Sequence, residues 1–154
     1  MITPHTYVLL SNNGTADNRL NAFDSALQSA KVADFNFIKV SSILPVECRK
    51  GSLEDVKCAT PGSFMFCVMS KMVSEEDGAT ISSAIACAKT NETVGVITEY
   101  SGKCSKDIAV ERAIDMARKM ANKRNATISS IDTTSSELIV NGCGCCVSLC
   151  LLLY

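Results

Sequence analysis

The serines of this sequence lack the partner that would make one of them a catalytic nucleophile. A serine hydroxyl is a weak nucleophile until a neighbouring base takes its proton, and histidine is the usual base. The chain has one histidine, His5, near its start. A Ser-His-acid triad is therefore not predicted, and the polypeptide backbone is the remaining source of a reactive carbonyl group.

One serine pair stands where the backbone could react. Ser-Ser dipeptides occur at positions 41–42, 82–83, 129–130 and 135–136. The dipeptide alone therefore carries little information. Ser41-Ser42 differs because it follows the β-prone residues 35–40 and precedes Ile43-Leu44-Pro45. A strand that ends at a bend before proline can hold a peptide bond in a fixed, strained geometry, as functional sites often do.

The chemistry available to such a bond is self-cleavage. The Ser42 hydroxyl would attack the carbonyl of Ser41 and convert the amide into an ester. Elimination would then release residues 1–41 and leave a dehydroalanine, which hydrolyses to a pyruvoyl group at position 42. The ketone can form a Schiff base with a substrate amine and serve as an electron sink when carbon dioxide departs. The competing interpretation is an ordinary turn, where serines are far commoner.

Nine cysteines are many for a chain of 154 residues. Their odd number, together with the lack of an export signal, argues against a disulfide framework. Four of them cluster at positions 143, 145, 146 and 150. The cluster could suggest a metal site, but the only histidine is distant in sequence and the surrounding run is apolar, where cysteine behaves as a small buried hydrophobe. No metal is predicted.

The elements that position Ser41 and Ser42 follow from the hydrophobic pattern. Apolar residues at helical spacing predict two helices, over about residues 18–31 and 105–124. Ser105 is the expected cap of the second helix. The buried face of that helix is expected to comprise Ala109, Ala113, Met116, Ala117 and Met120. The predicted strands are residues 6–10, 35–40, 64–69, 80–88, 93–100, 127–134 and 140–153. For residues 80–88, which are apolar with small side chains, periodicity also leaves a helix open.

Polar segments separate these elements. Residues 11–18, which include Asn12, Asn13 and Gly14, and residues 46–62 are expected to be loops. The resulting order is β-α-β, then mostly β, one long helix, and β again. Because helices and strands do not alternate regularly, the sequence predicts an α+β fold rather than α/β. A single domain over residues 1–154 fits the length.

Composition argues against several classes of function. The formal net charge of −1 gives no electrostatic attraction for nucleic acid or for an anionic membrane. The longest apolar stretch, residues 145–154, is about half a membrane span, and residues 1–10 lack the basic flank of a signal peptide. No Gly-rich phosphate loop follows a strand, which argues against nucleotide chemistry. We expect a cytoplasmic protein that binds no membrane and no nucleic acid.

Three segments resemble the pyruvoyl-dependent arginine decarboxylases of archaea. They are Leu20-Asn21-Ala22-Phe23-Asp24 with Ala26-Leu27, Val40-Ser41-Ser42-Ile43-Leu44-Pro45, and Glu99-Tyr100-Ser101-Gly102-Lys103-Cys104-Ser105-Lys106. The end of the chain from Gly142 is similar too. The family usually shows a second proline and an apolar, Pro-containing stretch after the cleavage motif, whereas residues 46–50 here read Val-Glu-Cys-Arg-Lys. This departure bears on the substrate more than on self-cleavage.

The resemblance implies that Ser42 becomes the pyruvoyl group and Ser41 the end of the smaller chain. The products would be a β chain of residues 1–41 and an α chain of residues 42–154. A four-layer αββα sandwich is implied too, as is a homotrimer of cleaved protomers with active sites between subunits. The implied reaction converts L-arginine to agmatine and carbon dioxide, an entry into polyamine synthesis, without metal, pyridoxal phosphate or nucleotide.

The resemblance also implies which residues handle the substrate. Asp24 would bind the guanidinium group through two parallel charge-assisted hydrogen bonds. Glu99 would deliver a proton to Cα after decarboxylation, as a general acid. Asn36 would orient the substrate or the cleaving bond, and Leu20 and Ile43 would line the pocket.

Other interpretations stay open. Asp24 could pair with Gln28 on the helix surface, Glu99 with Lys103, and Asn36 with the backbone. At the level of function, the same cofactor could act on another amino acid. A non-catalytic family member that is never cleaved is the other alternative.

Overall fold

The computed structural model of the protein describes residues 2–91 and 94–154, which form two α-helices and nine strands. The helices are α1 (Arg19–Ser29) and α2 (Lys106–Asn122). The strands are β1 (Thr6–Ala16), β2 (Asn36–Lys39), β3 (Ile43–Pro45), β4 (Arg49–Lys50), β5 (Phe64–Ser74), β6 (Thr80–Thr90), β7 (Val94–Gly102), β8 (Ile128–Ile139) and β9 (Cys143–Leu153). A single 3-10 turn spans Leu53–Asp55.

The strands form two sheets that stack face to face. The first has five strands in the order β2-β5-β9-β1-β4, and the second has four in the order β3-β7-β6-β8. Helix α1 packs on the outer face of the first sheet and α2 on the outer face of the second. The layers are therefore helix, sheet, sheet and helix, and the α+β prediction is confirmed.

Strand β9 lies at the centre of the first sheet, between β1 and β5, and is buried along nearly all of its length. Its odd-numbered residues, such as Cys145 and Leu149, pack under α1. Its even-numbered residues, such as Cys146 and Cys150, face the second sheet. A strand covered on both faces needs a continuous run of small or apolar side chains, which the cysteines supply.

The terminal cysteines thus do not form one cluster in space, because neighbours along β9 point to opposite faces. All nine cysteines are free thiols. Within residues 2–91 and 94–154, no three His, Cys, Asp or Glu side chains lie close enough together to hold a metal ion. In the same part of the chain, no helix has the length and apolar character needed to cross a membrane.

Strand β1 is longer than predicted. The prediction of a loop at residues 11–18 is wrong for residues 11–16, which continue the strand. The polar residues there have partners in the next layer: the Asn13 amide donates to the Ser136 hydroxyl (3.3 Å) and to the Glu137 carbonyl (3.0 Å). Gly14 is required by packing, since a Cβ there would lie 2.4 Å from the backbone nitrogen of Ala26 in α1. Asn18 then caps α1 by accepting from the Asn21 amide.

Helix α2 agrees with the prediction except at one residue. Ser105 caps it, accepting from the Ile108 amide at 3.4 Å. The buried face consists of alanines at every fourth position, which lets the helix lie close to β6 and β7: Ala109, Ala113, Ala117 and Ala121. Met116, expected on this face, is 37 % exposed because it lies beside that stripe rather than on it.

Most other strands extend beyond their predicted ends. The predicted strand at residues 64–69 continues to Ser74, and the one at 127–134 continues to Ile139. The strand expected at 80–88 is confirmed and reaches Thr90. Thr93, the expected start of β7, lies outside the described residues. The predicted loop at 46–62 contains only the short strand β4 and the 3-10 turn.

A polar network ties the two sheets together beside β4. The buried Tyr7 hydroxyl donates to Asp132 at 2.8 Å, and the Lys50 ammonium lies 2.6 Å from the other carboxylate oxygen of Asp132. Burial by itself would raise the pKa of Asp132, but the hydrogen bonds from Lys50 and Tyr7 outweigh it and hold this pKa below its ordinary value. The ionised carboxylate therefore stabilises the folded protein.

Replacing Asp132 with Asn should lower the free energy of unfolding at neutral pH by about 1–3 kcal/mol, because the Lys50 and Tyr7 hydrogen bonds lose their charged acceptor. A carboxylate whose pKa is lowered on folding contributes stability above its unfolded pKa, near 3.9, and loses it as the pH falls further. Urea unfolding at a series of pH values should show the variant losing less stability in acid than the wild type.

Asp115→Asn is the matched control, since Asp115 pairs with Lys119 on the exposed face of α2 and its loss should change stability little. Equal acid sensitivity of Asp132→Asn and the wild type would contradict the role given to the network.

Candidate active site

The chain crosses from one sheet to the other at residues 40–42. Strand β2 pairs with β5 of the first sheet, with Lys39 opposite Cys67. Strand β3 pairs with β7 of the second sheet, with Ile43 opposite Val96. The Ser41–Ser42 peptide bond therefore lies in the link between two sheets, directly after a strand, as the sequence predicted.

Backbone hydrogen bonds fix this link at both ends and in the middle. The Val40 amide donates to the Cys67 carbonyl (3.0 Å), and the Ser42 carbonyl accepts from the Ile97 amide (2.8 Å). The Ile43 amide donates to the Ser41 carbonyl at 3.0 Å, which closes a three-residue turn centred on Ser42. The Ser41 carbonyl, the group that the Ser42 hydroxyl would attack, is thus already polarised by a donor.

The link is held in place by hydrogen bonds as expected, but the expected backbone strain is not seen in the φ angles of the two serines. Among the described non-glycine residues, positive φ angles occur at Lys31 and Asn125, and neither serine has one. Ser42 is half-buried and its carbonyl is anchored to β7. A serine at this position, directly after a residue whose carbonyl is polarised, fits the precursor of a pyruvoyl group.

Ser41 and Ile43 line a cavity of about 700 Å³ on one side of the link. Most of its walls are apolar, from residues of β3, the start of β7 and the end of the chain. Its titratable side chains include His5 and Glu47. This cavity is where the cleavage motif, the N-terminal segment and the atypical residues after Pro45 come together.

Glu99 lines a second cavity, of about 450 Å³, together with Lys39, Lys71 and Tyr100. Its carboxylate is exposed in the single protomer. The charges here affect the nearby thiol of Cys67. Burial raises the pKa of this thiol to about 11, the positive charge of Lys39 lowers it, and the negative charge of Glu99 raises it further. The suggested pairing of Glu99 with Lys103 is wrong, because Lys103 forms its ion pair with Glu76.

Leu20 lines a third cavity, of about 570 Å³, with Phe23 and Lys71. Leu20 is 73 % exposed, although the apolar spacing of α1 placed it on the same stripe as the buried Leu27. The Lys71 ammonium lies 4.3 Å from the centre of the Phe23 ring, a cation–π contact. Lys71 also lines the cavity of Glu99, so it connects the two.

Asp24 and Asn36 lie outside these three cavities and make local contacts. The Gln28 amide donates to Asp24 at 2.5 Å, the helix-surface pairing that the sequence left open. The Asn36 amide donates to the carbonyl of Gly62 at 2.8 Å. Both side chains are exposed, so a single protomer does not bring them together with Ser42. Their assigned roles in substrate binding stay predictions.

Sequence reasoning did not assign Glu47, Lys39 or Lys71 to the site, and it set His5 aside. Lys39 and Lys71 join their cavities through strand pairing with distant parts of the chain, since Lys39 lies opposite Cys67 and Lys71 opposite Val147. Only Lys39 could have been assigned to the site from the sequence, because it ends the strand that leads into the serine pair.

Comparison with known proteins gives a consistent result over almost the whole chain. Residues 6–154 match the family model described as pyruvoyl-dependent arginine decarboxylase. Curated proteins named pyruvoyl-dependent arginine decarboxylase are similar too. The protein from Methanothermobacter thermautotrophicus is 37 % identical over 150 residues, covering 96 % of each chain.

Two further relatives with this name extend the comparison. The protein from Methanocaldococcus jannaschii is 32 % identical over 153 residues, covering 98 % of this chain and 91 % of the relative. The protein from Pyrococcus furiosus is 32 % identical over 142 residues, covering 90 % of this chain and 88 % of the relative. The family match over residues 6–154 therefore spans the predicted cleavage motif, the Glu99 segment and the buried last strand.

Proposed function

This chain belongs to the pyruvoyl-dependent arginine decarboxylase family. We propose that it converts L-arginine to agmatine and carbon dioxide with a pyruvoyl group made from its own Ser42. Membership makes it a carboxy-lyase that depends on a covalent pyruvoyl group. The observation that carries the proposal is the Ser41 carbonyl, held at the link between the sheets and polarised by the Ile43 amide.

Self-cleavage supplies the cofactor. The Ser42 hydroxyl adds to the Ser41 carbonyl carbon and the amide bond breaks. The proton lost by the hydroxyl ends on the departing nitrogen of Ser42, which leaves an ester and a free amine. Loss of the Ser42 Cα proton then expels residues 1–41 as a carboxylate. Water hydrolyses the resulting enamine, ammonia leaves, and the chain of residues 42–154 begins with a pyruvoyl group. The Ile43 amide stabilises the negative charge that builds on the Ser41 oxygen during the first step.

When formed, the pyruvoyl ketone supplies the electron sink for loss of carbon dioxide. Asp24 binds the guanidinium group through its two carboxylate oxygens. Glu99 holds the proton that is delivered to Cα. Asn36 orients the substrate, and Leu20 and Ile43 cover its apolar stem.

We propose that these residues meet between subunits of a homotrimer of cleaved protomers. Three features of the single protomer support this. Leu20 and Glu99 line different cavities, Asp24 lies outside both, and the Leu20 side chain is 73 % exposed. A neighbouring protomer can supply α1 to the cleavage site of the first.

We place the enzyme in the cytoplasm, where agmatine would enter polyamine synthesis. Nine free thiols, seven of them buried, suit a reducing compartment. The net charge of −1 offers no attraction for nucleic acid. Neither metal nor pyridoxal phosphate has a part in the proposed reaction.

Ser42→Ala tests the source of the cofactor. The wild-type protein should run as two chains, of 41 and 113 residues, on a denaturing gel, whereas the variant should stay a single chain of 154 residues and lack activity. The matched control is Ser130→Ala, in the exposed Ser-Ser pair at 129–130, which should cleave normally. Cleavage of Ser42→Ala at the wild-type position would overturn the proposed chemistry.

Ile43→Pro tests the donor to the Ser41 oxygen. Proline has no amide hydrogen, and this amide is not needed in the β3–β7 ladder because it donates to Ser41. Removing one donor from an oxyanion typically slows acyl transfer by about 100-fold or more. The half-time of cleavage after synthesis should lengthen accordingly, while Ile43→Val, which keeps the amide, should cleave at the wild-type rate. Equal rates for both variants would contradict the role of this hydrogen bond.

Asp24→Asn tests the substrate. Loss of the charged partner of the guanidinium group should raise KM for arginine by about 30-fold or more, because breaking one side of such a pair costs about 2 kcal/mol or more. Carbon dioxide release measures it, and Asp115→Asn on α2 serves as the charge-matched control. An unchanged KM for arginine would remove Asp24 from the guanidinium site. If the wild-type protein released no carbon dioxide from arginine, another amino acid would be favoured as substrate, with self-cleavage unaffected.

A further inference from the structure

We propose that His5 forms an ion pair with the carboxylate that self-cleavage leaves on Ser41, so that the smaller chain closes on itself over β3 and leaves the new ketone accessible. The proposal rests on the self-cleavage described above. It gives the only histidine of the sequence a role as a positioning residue rather than a catalytic one.

The charge balance of the cavity beside Ser41 points to this pairing. His5, Ser41 and Glu47 line the same space of about 700 Å³. Cleavage converts the neutral Ser41 amide into a carboxylate there, next to the acidic Glu47. Of the residues that line this cavity, His5 is the one whose side chain can carry a positive charge. The walls are mostly apolar but His5 and Ser41 are exposed, so an ion pair here would be only partly shielded from water.

The backbone of His5 is held where the pairing needs it. Its amide donates to the Leu153 carbonyl (2.9 Å), and its carbonyl accepts from the Arg49 amide (3.0 Å). Leu153 and Arg49 both belong to the larger product chain. Cleavage therefore leaves His5 anchored to the larger chain while Ser41 becomes free to move.

The ring of His5 has one nitrogen available. Nδ1 lies 2.9 Å from the hydroxyl of the buried Thr6, and that contact orients the imidazole. Across residues 2–91 and 94–154, Nε2 has no protein hydrogen-bond partner. A carboxylate arriving from Ser41 can take this position without displacing another group.

The other charged groups nearby are already paired or face elsewhere. The Arg49 guanidinium forms an ion pair with Asp55 at 3.2 Å. Lys39, two residues before Ser41, lines the cavity of Glu99 instead. Lys39 is the rival cation for the new carboxylate, and the experiment below separates the two.

The test measures how well the end of the smaller chain is protected in the intact, cleaved protein. Native protein is treated with a carboxypeptidase, and the mass of the smaller chain reports release of Ser41. His5→Gln should release Ser41 about fivefold faster than the wild type, the size expected from losing one partly exposed ion pair. His5→Arg keeps a cation and should resemble the wild type. Arg49→Gln is the control for loss of a neighbouring positive charge and should also resemble the wild type.

A second readout comes from nuclear magnetic resonance of the single histidine. At about pH 7.5, where a free imidazole is mostly neutral, the ring signal should move toward the position of the charged form in the cleaved protein. The uncleaved Ser42→Ala chain should show no such displacement.

Each outcome is decisive. An unmoved histidine signal, or equal release of Ser41 from His5→Gln and the wild type, would overturn the pairing. Faster release from Lys39→Gln but not from His5→Gln would assign the carboxylate to Lys39 instead. The mass spectrum also shows whether cleavage has occurred, so a failure of the proposed function is seen directly and is not confused with failure of this inference.

Discussion

The structure depends on one short crossing of the chain between two stacked sheets. The link at residues 40–42 makes one hydrogen bond with each sheet. The Val40 amide donates to the Cys67 carbonyl on β5, and the Ser42 carbonyl accepts from the Ile97 amide on β7. The Cys67 carbonyl and the Ile97 amide lie on opposite sides of the link only after both sheets have formed and stacked. The geometry that polarises the Ser41 carbonyl is therefore a property of the folded sandwich, and an unfolded chain has no means of holding the two serines in this arrangement.

Close stacking in turn depends on small side chains. Alanines line the face of α2, cysteines and other small or aliphatic residues fill both faces of β9, and Gly14 lets α1 approach β1. The polar contacts between the sheets, such as Tyr7 with Asp132, then fix their relative position. Buried polar groups of this kind favour one arrangement of the layers, since a shifted sheet would leave them without partners.

Local signals predicted much of the fold, and long-range pairing explains what they missed. The helical spacing of apolar residues placed both helices, and the cap Ser105 was predicted for the second. The end of β1 was missed because Asn13 and Gly14 resemble loop residues, and only contacts with β8 and α1 make them suitable for a strand. At the site, the position of Ser41-Ser42 after a strand could be predicted. The separation of Leu20 and Glu99 into different cavities could not, since it depends on how sheets and helices are layered.

The most direct test of the account is the mass of the larger chain in purified wild-type protein. The larger chain should begin at residue 42 and should be lighter by one ammonia than the same chain beginning with unmodified serine. Reduction with a hydride donor in the presence of agmatine should attach the amine to this chain alone. A single intact polypeptide with an ordinary serine at position 42 would contradict the account, because it would contain no ketone to receive the substrate.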